Sequence, residues 1–193
     1  MPIDRAKTAR GAIAGAVAAV VWAAQQPLDK RVFDVDYDDC ELLGAAVTDG
    51  AAVTPVGWAL HTLNGAAFGA AYAVAAPRLP LPSWARGPAV ALVESTAVWP
   101  GTAFIPSLHP RGSRFPKLWG SRNAFLQATW RHLLFGVVLG ELERRLNAPD
   151  VEEVPPSYEH VVSTNGHGSI EHAMVTITPV ANGAADDDDE DDE

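Results

Sequence analysis

The chain has 193 residues, 48% of them apolar and 20% charged, with a formal net charge of −10. Eight of its 24 acids fill Asp186 to Glu193, so the remaining body is nearly neutral and lacks the Lys/Arg stripe that a nucleic-acid surface needs. A single cysteine, Cys40, excludes an internal disulfide framework and every zinc pattern that needs several thiolates.

Charge-free runs organise the body. Gly11 to Leu28 is 18 residues without Asp, Glu, Lys or Arg, and Gly50 to Pro77 is 28. Arg86 to Arg111 encloses one charge, Glu94, and Arg122 to Glu141 encloses one, Arg131. A bilayer core of about 30 Å needs about 20 helical residues, so these runs predict four spans, near 8–25, 53–76, 84–105 and 121–143. The fold expectation is all-α: an integral membrane four-helix bundle over 1–147, followed by a soluble, largely disordered acidic tail over 148–193. Most of the six tryptophans fall near proposed span ends, as interfacial belts place them, with Trp130 the exception. Two alternatives stay open. One is a soluble bundle with apolar core helices. The other concerns the first segment alone, where Arg5, Lys7 and Arg10 before a short apolar run ending Val21-Trp22-Ala23 also fit a signal peptide.

The first span carries Gly11-x-x-x-Gly15-x-x-x-Ala19, the second Gly65-x-x-x-Gly69-x-x-x-Ala73 and the fourth Gly136-x-x-x-Gly140. Small residues at this spacing mark faces where helices in lipid approach closely. Between the first two spans, 27–52 reads as an acidic loop, with a short surface helix over 41–47. Its Asp34-x-Asp36-x-Asp38 lacks the glycine and glutamate that a calcium loop requires.

The residues that are expensive to bury are His61 and Asn64 on the second span, Glu94 on the third, and Gln127, Arg131 and His132 on the fourth. Counting from the outer ends puts His61, Glu94 and Arg131 at a common depth, roughly 12 to 17 Å in at the helical rise. Each of Glu94 and Arg131 is the sole charge of its span, so they are expected to form an ion pair with a histidine as the next polar neighbour. A metal site from His61, His132 and Glu94 is chemically admissible, but Arg131 would compete for the carboxylate. Pro100, in Trp99-Pro100-Gly101, removes an amide donor and should kink or end the third helix.

No phosphate loop, nucleophile triad, HExxH or nucleotide fingerprint occurs, and no cofactor is expected. In the tail, Asn165-Gly166 is a hairpin signal between two short extended runs, and an isolated hairpin is marginal in water. Seven basic residues on the amino-terminal side of the bundle against six on the other, with Arg5, Lys7 and Arg10 nearest a span, favour both termini in the cytoplasm.

His61-Thr-Leu-Asn64-Gly65, Glu94, Trp99-Pro100-Gly101 and Trp130-Arg131-His132-Leu-Leu-Phe-Gly136, set in four short spans, resemble the small four-span prokaryotic membrane proteins of unknown function, the YagU-like among them. The resemblance covers about 8–146 and implies an architecture without an activity. The functional expectation is a cytoplasmic-membrane protein of structural or accessory kind, with lipids, a second copy or another membrane protein as partners. The alternatives are a small oligomeric transporter or channel component and an intramembrane metalloenzyme.

Overall fold

The computed structural model of the chain describes residues 4–148, and the expected tail hairpin and tail disorder lie outside the described residues. Within them every regular element is helical. The longest, α1 (Arg5–Phe33), starts at Asp4, whose carboxylate accepts the Lys7 amide at 3.0 Å, the N-cap arrangement that satisfies an orphaned first-turn donor. It closes at Asp34, held at φ 54, a left-handed stop typical of helix ends. A short α2 (Asp39–Val47) is capped in the same way by Asp38. A single 3-10 turn leads into α3 (Val53–Ala75).

The chain crosses to α4 (Ser83–Val98) through a turn and Leu79-Pro80-Leu81-Pro82. At Trp99 the helix tightens into a 3-10 stretch through Phe104, followed by the four-residue α5 (Ile105–Leu108). The expected break at Pro100 is therefore present, and the third proposed span is a 16-residue helix with a tighter extension. Ser121 caps the last helix, α6 (Arg122–Leu146), by accepting the Ala124 amide.

One boundary needs correction. The segment 27–52 is not a loop, because α1 continues through Pro27 for two further turns. A proline inside a helix forfeits one amide bond. Here the buried stripe Ala18, Trp22, Gln26, Asp29 runs straight across it at helical spacing, so packing on both sides carries the helix past the lost bond. After the third proposed span, α5 and a 3-10 turn at Gly112–Arg114 fold back over α2. His109 Nδ1 accepts the Arg111 amide and its Nε2 lies 3.0 Å from the Leu42 carbonyl, while Arg111 reaches Ala45 and Asp49.

Four interfaces build the body: α1 with α3, α4 with α6, α1 with α6, and α2 with α3. Glycine permits close approach in three of them, with Gly57 of α3 against the Cys40 backbone of α2 in one. A β-carbon on Gly15 would strike the Gly65 carbonyl, and one on Gly69 would strike that of Gly11. The α4–α6 contact repeats the device, with Gly87 against Gly136 and Gly140. The small-residue stripes thus mark the contact faces, and backbones meet where any side chain would hold them apart. α3 and α4, consecutive in the chain, share no comparable interface, and that side of the body stands open.

By length and composition one helix among the described residues, α1, is long and apolar enough to cross a membrane. α3 and α6 have the length without that apolar content, and α4 is 16 residues long.

Candidate functional site

Two polar assemblies lie next to each other near the α2 end of the helices. The first is an ion network centred on Arg131, whose side chain is 1% exposed. Its Nε and Nη2 donate to the two oxygens of Asp29 at 2.7 and 2.6 Å, a bidentate fork of the kind that gives both strength and orientation. Nη1 donates to Asp39 at 2.6 Å, and Nη2 also reaches the Tyr37 carbonyl at 2.9 Å. Gln127 donates to Asp29 and to the Val35 carbonyl, Gln25 donates to Asp29, and Trp22 Nε1 donates to Asp39. Gln26 accepts the Asp39 amide at 2.9 Å. The network therefore ties α6 to α1, to the start of α2 and to the strap between them.

The second assembly is a cavity of about 240 Å³ framed by α1, α2, α3, α4 and α6. At roughly 30 Å³ per water it has room for about eight. His61, Glu94 and His132 line it, with the exposed Asn64 at its edge. His132 Nδ1 stands 2.7 Å from the Ala128 carbonyl, which can only accept, so Nδ1 carries a proton. Its Nε2 meets Glu94 Oε2 at 3.0 Å. That contact needs a proton of its own, held either by the imidazole or by the carboxyl. His61 is 8% exposed. Its Nε2 is buried without any hydrogen-bond partner. Trp22 lies between the two imidazoles, edge-on to His61 at 5.4 Å and to His132 at 4.6 Å between ring centroids.

The expected Glu94–Arg131 pair does not form. Arg131 and His132 are adjacent on α6 and point about 100° apart, so Arg131 turns to Asp29 on α1 while His132 turns to Glu94 on α4. Gln127 joins Arg131 around Asp29, and His61, Asn64, Glu94 and His132 share the cavity. Pro100 lies just beyond Trp99, a wall residue. Sequence reasoning missed Asp29 and Asp39 because they were assigned to an acidic loop, and Gln26 because it fell between the first span and that loop. The signal for Gln26 and Asp29 was the i, i+4, i+7 spacing Trp22, Gln26, Asp29.

Cys40, 2% exposed on α2, has its thiol pushed up to about 12 by burial and by the nearby carboxylates Asp38 and Asp39. Burial likewise pushes the Tyr37 phenol well above its usual range, with Asp39 adding to it. No group of three or more His, Cys, Asp or Glu among the described residues is placed to hold a metal ion. That includes His61, His132 and Glu94. No protein-family profile, curated protein or solved structure matches the chain.

Proposed function

We propose that the chain is a multi-pass protein of the cytoplasmic membrane, a small four-helix bundle of structural or accessory kind, akin to the four-span proteins it resembles. The observation that carries this reading is inverted polarity. Arg131, Asp29, Gln127, Gln26 and a set of glycines and alanines are inside, while Ile13, Leu63 and Val93 are 58%, 66% and 70% exposed. In water such an arrangement forgoes most of the gain from burying large aliphatic side chains, worth about 1.5–3 kcal/mol each. In lipid it costs nothing, because the solvent is as apolar as leucine and association rests on close packing and interhelical hydrogen bonds. The length and composition of α1 are consistent with the reading.

The Arg131 network then acts as glue that fixes the rotation of α6 against α1, and membrane lipids with a second copy or another membrane protein are its partners. Alkaline carbonate washing of membranes is the test: the intact chain should stay in the pellet, and its release overturns the reading. A reporter fused after Asn147 should lie on the cytoplasmic side.

A second reading, a small transporter or channel component, is favoured by the cavity and by the unpartnered nitrogen of His61. A body needing only mechanical strength gains nothing from a buried orphan acceptor beside a void. On this reading the cavity holds a small ligand reached through the open side between α3 and α4.

A further inference from the structure

We propose that the cavity between α3 and α4 binds a monovalent organic ammonium ion carrying N–H donors and an apolar tail. This rests on the cavity reading above and adds the chemical class of its occupant.

Three features define that class. The first is the hydrogen-bond inventory. His61 lines the cavity, and in the tautomer that carries its proton on Nδ1 its buried Nε2 is an acceptor with no protein donor to receive. A buried polar atom left unpaired is costly, and native structures leave few of them. Glu94 adds carboxylate oxygens, one of which meets His132. Both groups are acceptors, so the occupant must donate.

The second feature is charge. In and immediately behind the cavity stand three carboxylates, Asp29, Asp39 and Glu94. Opposing them are Arg131, shared by two of the three, and the proton that lies between Glu94 and His132. At least one negative charge stays uncompensated in a low-dielectric setting where charges interact strongly. Lys30 does not balance it, because it is engaged at 3.2 Å by both Asp36 and Asp38. A single positive charge would.

The third feature is the wall. Trp22, Tyr37, Phe68, Trp99 and Phe135 surround the polar groups, and aromatic faces attract ammonium ions once water is excluded. The remaining lining is largely aliphatic, and the gap between α3 and α4 gives an apolar tail a way out towards lipid. An anion would face the carboxylates of Glu94 and Asp39 here. A neutral alcohol could donate to His61, but it would leave the charge uncompensated.

The test uses the full chain in neutral-pH detergent micelles and four probes built on a six-carbon chain: n-hexylammonium, hexyltrimethylammonium, 1-hexanol and hexanoate. Binding is read from tryptophan fluorescence, with Trp22 and Trp99 on the wall, and from the melting temperature. Hexylammonium should saturate and raise the melting temperature, the trimethyl compound should bind several-fold more weakly, and hexanol and hexanoate should not saturate. Glu94→Gln should weaken hexylammonium about tenfold or more, the size expected for losing a charge-assisted hydrogen bond. His61→Phe should erase the preference for hexylammonium over its trimethyl analogue. Should His61→Phe fail to fold, the wild-type comparison and Glu94→Gln still decide. Saturation by hexanol or hexanoate in place of hexylammonium would keep a ligand cavity and overturn its cation class. Saturation by none of the four would overturn both. An unchanged affinity in Glu94→Gln would remove the carboxylate from the site and sink the proposal.

Discussion

Arg131 has partners for four of its five donor hydrogens, all within 2.9 Å. A buried guanidinium so engaged is a liability as soon as one side is removed. Arg131→Met should therefore destabilise the fold by about 3–5 kcal/mol by stranding Asp29. Asp29→Leu combined with Arg131→Met should recover part of that loss, because it removes the buried carboxylate with its partner and leaves only the more exposed Asp39 without a cation. Thermal unfolding in detergent checks both, and equal losses in the single and double variants would contradict the coupling. Cys40 reports on the same region. With its thiol pushed up to about 12 and its side chain buried, almost none is thiolate at pH 7.5, and the thiolate is the nucleophile. Maleimide should label the native chain negligibly and the denatured chain fully, with Arg131→Met shifting native labelling upward.

At the scale of the elements, the glycine contacts separate structural from incidental positions. Gly15→Ala and Gly87→Ala would each drive a methyl group into the backbone of the facing helix. Each should cost about 1–3 kcal/mol, as overpacking does. Gly101→Ala meets nothing within 4 Å and should be neutral within about 0.5 kcal/mol. Melting curves of the three variants side by side make the comparison. The faces on the first, second and fourth spans were legible beforehand, because four-residue spacing of glycine depends only on the helical repeat, whereas Gly87 stood in no such motif. The break at Pro100 was legible for an equally local reason, a missing amide. The end of α1 was not. Pro27 and the acids after it look like a terminus, whereas the helix is held by Asp29, whose partner lies 102 residues away. Nor was the partner of Glu94 legible. Counting residues fixes depth along an axis but not direction around it, and Arg131 and His132 differ only in direction.

At the scale of the molecule, exterior side chains tell lipid from water. Leu63→Glu and Val93→Glu each place a charge on an outward position. In a bilayer each should lower the membrane-inserted yield sharply, at an insertion cost of about 2.5–3.5 kcal/mol near mid-depth. In water each should leave the yield unchanged or improve solubility. Comparing pelleted and soluble fractions after expression gives the answer, and a gain in soluble protein would count against a membrane setting.

The open side between α3 and α4 bears on how the chain is assembled. Neighbours in sequence there are not neighbours in packing, so the peptide between them, Leu79-Pro80-Leu81-Pro82, does the work of a tether rather than of a joint. The interlocking seams lie within 4–75, where α1 meets α3, and within 83–148, where α4 meets α6, and the α1–α6 seam joins the two. A molecule divided in this way is a heterodimer that happens to be translated as one polypeptide. Two separately expressed pieces cut at Pro80 should find each other in the same membrane and copurify. Gly136→Leu, which wrecks only the second piece, should abolish their recovery together.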